Sequence, residues 1–192
     1  MNTIVACGLS KWSPGLGDNH PMGWITVVLY LVAAVACAVA ASRGTFPPQT
    51  SSRERLFWWF AAVVLVLLAI NKQLDLQSLL TSVARCMAMN QGWYEGRRVV
   101  QVWFVGAVLA GGCMAIVALA FFLRNTFART GLAVVGLGFV CVFVAIRAAS
   151  FHHVDTLIDG QLFGLRMNWL LEMPGPLIVL MAAVRQSRAQ VA

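Results

Sequence analysis

Residues Met22–Ala41 read MGWITVVLYLVAAVACAVAA, a stretch of apolar and small side chains that contains no charge. A helix that spans a membrane needs roughly 20 mostly apolar residues, and this stretch provides them. Four more apolar stretches follow: Leu56–Ile70, Val99–Leu123, Gly131–Ile146 and Met167–Val184, the last interrupted by Asn168, Glu172 and Pro174-Gly175-Pro176. The sequence therefore predicts an all-α fold, a polytopic integral membrane helix bundle with five transmembrane helices.

The composition of the whole chain is typical of the same class. Of its 192 residues, 60% are apolar and 11% are charged, which is too apolar for a soluble domain of this size. We expect a single membrane domain over residues 1–192. The net charge of +7 does not indicate a nucleic-acid partner, because the basic residues are spread over short loops.

The loops at the two ends of the predicted bundle differ in charge. One end carries the single acid Glu54 and seven basic residues: Arg43, Arg53, Arg55, Arg124, Arg129, Arg185 and Arg188. The other end carries seven basic residues together with six acids. Because the basic residues of the first end lie in short loops directly at helix ends, the positive-inside rule places that end in the cytoplasm. We therefore predict an N-terminus outside and a cytoplasmic C-terminus.

The predicted outer end also carries an amphipathic segment and two cysteines. Apolar residues recur at helical spacing from Leu76 to Met87, with polar residues between them, which predicts an interfacial helix over about residues 76–90. Cys7 and Cys86 both lie at this end. They form a disulfide if the compartment is oxidising, or remain two free thiols.

Two spans carry a pattern of small residues spaced by four. Ala33, Cys37 and Ala41 form such a stripe in the first span, and Ala107, Gly111 and Ala115 form one in the third. Small side chains let helices approach closely in a membrane. We interpret both stripes as packing faces, either within the bundle or with a partner subunit.

The second apolar stretch is too short to cross a membrane by itself. Leu56–Ile70 covers about 22 Å at about 1.5 Å per residue, against a hydrocarbon core of about 30 Å. This span must therefore extend to about residue 75, which brings Lys72 and Asp75 to membrane depth. The fourth span, extended to about residue 150, likewise includes Arg147.

The fifth span, about residues 167–184, brings Glu172 to a similar depth from the outer side. A charge left alone in a membrane costs at least about 2.5 kcal/mol on insertion scales, so such groups face one another or a wet cavity. We therefore expect Glu172 to contact Lys72, Arg147 or a bound cation.

One interpretation of this polar cluster is a metal site. His152, Asp155 and Asp159 fall at positions i, i+3 and i+7, which places an imidazole and carboxylates on one face of a helix that continues the fourth span. With Glu172 or Asp75 completing the shell, these residues are suited to a divalent metal such as zinc. The alternative is that the histidines are interfacial residues with ordinary hydrogen bonds.

Around such a metal, the remaining charged residues have obvious roles. Asp75 and Arg147 would be catalytic, with Asp75 as the base, while Lys72, Arg97 and Arg98 would bind an anionic substrate. The corresponding function is a metal-dependent hydrolase or transferase that acts on a lipid or a lipid-linked substrate. Its partners would be membrane lipids.

The second interpretation gives the same cluster no chemistry. A buried ion pair between Lys72 or Arg147 and Asp75 or Glu172 would hold helices in register. The protein would then be a non-catalytic membrane subunit or assembly factor with other membrane subunits as partners. A proton or solute carrier is a third hypothesis, although no internal repeat supports it.

Four strings resemble a family of small bacterial inner-membrane proteins to which no activity has been assigned. They are AINKQLDLQ at residues 69–77, GWYEGRR at residues 92–98, FHHVD at residues 151–155 and NWLLE at residues 168–172. The resemblance implies a multi-pass protein of the bacterial inner (cytoplasmic) membrane and no activity. A comparison with the alkaline-ceramidase-like membrane hydrolases finds no H-x-x-x-H motif here.

Overall fold

The computed structural model describes residues 2–12, 20–92, 96–149, 161–162 and 165–188. Within them the elements, in chain order, are α1 (Asn2–Lys11), α2 (Pro21–Arg43), α3 (Ser51–Leu74), α4 (Leu76–Asn90), α5 (Arg97–Phe122), α6 (Phe127–Ala149), β1 (Gln161–Leu162), β2 (Leu165–Arg166), α7 (Met167–Glu172) and α8 (Pro174–Arg188). β1 and β2 form a minimal antiparallel pair. The prediction of a predominantly helical chain is confirmed for the described residues.

Four helical segments of the described chain are long and apolar enough to cross a membrane: Pro21–Arg43, Ser51–Leu74, Phe127–Val144 and Met167–Arg188. They coincide with the first, second, fourth and fifth predicted spans. In the third predicted span, the described residues provide a shorter apolar segment, Ala110–Phe122, which lies inside α5. The second span begins at Ser51, five residues before the apolar stretch, because its polar first turn is also helical.

The core forms where α2, α3, α6 and α8 pack together. The small-residue stripe of α2 is fully buried, since Ala33, Cys37 and Ala41 are each 0% exposed. Opposite it, α3 contributes the large buried side chains of Phe57 and Trp58. The prediction that this stripe is a packing face is confirmed for the first span, and its small residues allow the helices to approach closely.

The fifth span is interrupted as a regular helix at Met173, but its backbone hydrogen bonding continues. The Met173 N–H donates to the Trp169 carbonyl at 3.1 Å, and the Leu177 N–H donates to the Met173 carbonyl at 3.2 Å, so α8 continues from α7. Just beyond Met173, Gly175 lies against Gly136 of α6, and a side chain at either position would collide with the other helix. This close contact fixes α8 against α6.

Helices α1 and α4 form a second, smaller unit. Asp75 adopts a left-handed conformation, with φ of 45° and ψ of 51°, and separates α3 from α4. A disulfide joins Cys7 of α1 to Cys86 of α4, and Gly8 packs directly against Val83. Of the two alternatives for these cysteines, the structure has the disulfide. The bounds of α4 match the helix predicted over residues 76–90.

Candidate functional site

A buried ion pair lies where α3 meets α7. Lys72 Nζ is 2.6 Å from Glu172 Oε2, and the two side chains are only 6% and 5% exposed. Lys72 follows Leu65 and Ala69 on one face of α3, and both of these residues are buried. The helical spacing therefore directs the lysine into the bundle. The expectation that Glu172 contacts a basic partner is confirmed, and that partner is Lys72.

A tyrosine of a third helix completes the cluster. The Tyr30 hydroxyl donates to Glu172 Oε1 at 3.3 Å, and Tyr30 of α2 is only 1% exposed. Both oxygens of the carboxylate thus have a partner, one a cation and the other a hydroxyl. The cluster joins α2, α3 and α7 through groups far apart in the sequence. We call Tyr30, Lys72 and Glu172 the outer cluster.

Two aromatic rings lie near the start of the helix that carries Glu172. Trp169 precedes Glu172 by about one helical turn and is 3% exposed. The ring of His20 stacks on it, with centroids 4.5 Å apart. His20 also caps α2, because its Nδ1 accepts a hydrogen bond from the Met22 N–H at 3.2 Å. His20 therefore has a structural role in beginning the first span.

Gln73, the residue after Lys72, has a buried side-chain amide. Both Gln73 Oε1 and Gln73 Nε2 are shielded from solvent and have no hydrogen-bond partner among the residues that the structure describes. A buried polar group left unsatisfied costs about 1–3 kcal/mol. The Gln73 amide at the end of α3 therefore provides a donor and an acceptor that no contact of the described residues uses.

The remaining predicted site residues fall in three groups. Asp75 lies half-buried at the turn after α3. Arg97 and Arg98 begin α5 and Arg147 lies near the end of α6, but the structure describes the backbone alone at these three positions. His152, Asp155 and Asp159 lie outside the described residues. Within the residues that are described, no three His, Cys, Asp or Glu side chains are grouped as a metal site requires.

A second charge cluster lies at the arginine-rich end, and the sequence interpretation missed it. Arg129 of α6 donates to both oxygens of Glu54 in α3, Nη2 to Oε1 at 2.6 Å and Nε to Oε2 at 2.9 Å. The Thr50 hydroxyl donates to Glu54 Oε1 at 2.7 Å. Glu54 is 0% exposed, whereas the Arg129 side chain is 34% exposed. We call Thr50, Glu54 and Arg129 the inner cluster.

The signal that could have identified the inner cluster was charge balance. Glu54 is the single acid among seven arginines at its end of the molecule. An acid in the first turn of a buried helix must find a cation, because an isolated buried carboxylate is too costly. This inference required knowing that α3 begins at Ser51, so that Glu54 lies in the helix and not in a loop.

Another arginine of this end is used to cap a helix. Arg55 Nη1 donates to the carbonyls of Ala41 at 2.8 Å and Ser42 at 3.2 Å, and its Nη2 donates to that of Gly44 at 3.2 Å. The last carbonyls of α2 lack partners within the helix, so the guanidinium satisfies them. Five arginines of this end are exposed: Arg43, Arg53, Arg124, Arg185 and Arg188.

Comparison with known proteins assigns neither a family nor a function. No family model, no curated protein and no solved structure matches this chain.

Proposed function

We propose that this protein is a non-catalytic membrane subunit or assembly factor of the bacterial inner membrane. In this role the outer cluster is a lock between helices. The observation that carries the proposal is the Lys72–Glu172 contact of 2.6 Å between two buried side chains. This contact occupies the carboxylate that the metal-site hypothesis needs as a ligand.

The energetics of the outer cluster favour a structural role. Breaking a buried ion pair by removing one partner costs about 3–5 kcal/mol, because the remaining charge has neither a counter-ion nor water. Tyr30 adds a hydrogen bond from a third helix. An arrangement in which each oxygen of Glu172 already has a partner is well suited to fixing helix register.

The third predicted span supports the idea of a subunit. We propose that α5 is a fifth transmembrane helix, because its 26 residues extend about 39 Å at 1.5 Å per residue. Its small-residue stripe differs from that of α2, since Ala107, Gly111 and Ala115 are all exposed. Trp103 and Phe121 beside the stripe are 76% and 69% exposed. Such a helix suits contact with lipid or with a helix of another membrane subunit.

The disulfide supports the proposed orientation. Disulfides persist in oxidising compartments, such as the bacterial periplasm, and are rare in the cytosol. Cys7 and Cys86 belong to the α1–α4 unit. Helix α4 of this unit begins directly after the end of α3 that carries Lys72. The exposed arginines lie at the opposite end, where the positive-inside rule expects the cytoplasm. We propose an N-terminus outside, a cytoplasmic C-terminus and α4 along the outer interface.

Reporter fusions test this orientation. A reporter after Ala192 is expected to be active only in the cytoplasm, and one inserted within residues 90–96 only outside. Reversed activity at both positions would contradict the proposed topology and place the disulfide in a reducing compartment.

The function itself is tested by metal content and by a double substitution. We expect purified wild-type protein to contain no stoichiometric zinc, manganese or calcium by elemental analysis. Glu172→Gln should lower accumulation and the melting temperature, because it leaves Lys72 buried without its counter-ion. Adding Lys72→Met should restore both, since the pair is then removed together.

The opposite outcome would support the hydrolase or transferase hypothesis. In that case the wild type would carry one metal per chain, and Glu172→Gln would lower metal content while the protein still accumulated. The Lys72→Met change would then restore nothing. Glu54→Gln is a matched control, because it removes a buried carboxylate from the inner cluster and should leave metal content unchanged in both cases.

A further inference from the structure

The exposed face of α8 carries a groove at the arginine-rich end of the molecule. The groove has a volume of about 580 Å³ and is lined by Leu180, Met181, Val184, Arg185 and Arg188. Its inner part is apolar, and its two arginines lie within one turn of each other near the end of α8. The face therefore changes from apolar to cationic along the helix.

This groove faces away from the bundle. The opposite side of α8 is buried through Val179, Ala182, Ala183 and Gln186. Met181, by contrast, is 58% exposed, and Arg185 and Arg188 are both exposed. In a membrane-spanning segment such a face is in contact with lipid, so its occupant must be suited to hydrocarbon at one end and to cations at the other.

The two arginines differ from the engaged arginines of the same end. Arg55 caps α2 and Arg129 pairs with Glu54, whereas Arg185 and Arg188 make no ion pair or hydrogen bond within the described part of the chain. The only acid at this end, Glu54, is already neutralised. Two guanidinium groups beside an apolar groove are complementary to a phosphodiester joined to acyl chains.

We propose that this groove binds one anionic phospholipid of the leaflet at the arginine-rich end. The acyl chain lies along Leu180, Met181 and Val184, and the phosphate accepts hydrogen bonds from Arg185 and Arg188. The inference is independent of whether the outer cluster is structural or catalytic. It differs from general attraction between basic loops and an anionic membrane, because it requires the apolar lining as well as the charges.

A lipid titration of the full chain in detergent, followed by native mass spectrometry, tests the site. We expect one dioleoylphosphatidylglycerol to bind at least about tenfold more tightly than dioleoylphosphatidylcholine. Arg185→Gln with Arg188→Gln should raise the Kd for phosphatidylglycerol about thirtyfold and leave that for phosphatidylcholine unchanged. Met181→Trp, which fills the groove and keeps both charges, should also weaken phosphatidylglycerol binding several-fold.

A matched control separates this site from bulk charge. Arg43→Gln with Arg53→Gln removes two exposed arginines from the same end of the molecule. The loop between them reaches α8 at this end, because the Gln186 amide donates to the Thr45 carbonyl at 3.5 Å. We expect this control to change the Kd by threefold or less. An equal loss in the control, equal binding of the two lipids, an unchanged Kd for Met181→Trp, or displacement of the lipid by inorganic phosphate would each overturn the proposal.

Discussion

The two buried carboxylates in the described part of this chain, Glu172 and Glu54, are neutralised in different ways at opposite ends of the bundle. Glu172 faces a lysine and a tyrosine, and the charged partners are 6% and 5% exposed. Glu54 is 0% exposed, but its partner Arg129 is 34% exposed and binds it through two nitrogens. Both charges of the outer cluster are therefore shielded from water, while the inner cluster keeps one partner in contact with it.

The difference determines what each cluster does when one member is lost. At the outer end, either single substitution leaves a buried charge without its counter-ion. At the inner end, loss of the acid leaves Arg129 free to be hydrated, whereas loss of the arginine leaves Glu54 buried and charged. The outer cluster is expected to be symmetric in its response to substitution and the inner cluster asymmetric.

The largest expected effect compares the two basic partners. Lys72→Met should lower the free energy of unfolding by about 3–5 kcal/mol, because Glu172 then lies in a solvent-shielded site without its counter-ion. Arg129→Met should cost less, about 2–3 kcal/mol, since Glu54 keeps a 2.7 Å hydrogen bond from Thr50, whereas Glu172 keeps only a 3.3 Å one from Tyr30. Thermal unfolding of purified protein in detergent measures both losses. An equal loss of unfolding free energy in the two variants would contradict the proposed difference between the outer and inner clusters.

A smaller effect tests the asymmetry of the inner cluster. Glu54→Gln should cost only about 1 kcal/mol, because the amide keeps a hydrogen-bond acceptor and Arg129 can turn toward water. The same thermal measurement compares it with Arg129→Met. If Glu54→Gln lowered the free energy of unfolding as much as Arg129→Met does, the solvent exposure of Arg129 would not explain the asymmetry of the inner cluster.

The smallest expected effect concerns Tyr30. Tyr30→Phe removes one hydroxyl and its 3.3 Å hydrogen bond to Glu172 while the ring continues to fill its place in the core. We expect a loss of about 0.5–1.5 kcal/mol, the usual contribution of one hydrogen bond. The loss should disappear when Tyr30→Phe is added to a Lys72→Met, Glu172→Met double variant, because residue 172 then has no oxygen left to accept the hydroxyl. A loss that persisted would assign the effect to packing.

Much of the fold could be predicted from hydropathy and length. Apolar stretches of about 20 residues cross membranes as helices because hydrocarbon provides no partners for backbone polar groups, so four spans followed directly from the sequence. The short second stretch also predicted that Lys72 would lie at membrane depth. The cost of a lone charge there predicted a partner for Glu172, but left Lys72 and Arg147 as alternatives.

The sequence by itself determined the class of protein, the positions of four spans and the need to neutralise Glu172, because each depends on local hydropathy or on the energy of a single charge. The tertiary structure alone decided that Lys72 is the partner, that Tyr30 joins it, and that Glu54 binds Arg129. These pairs join residues 75 to 142 positions apart. Such contacts depend on the rotation and depth of each helix, which close packing at positions such as Gly136 and Gly175 determines.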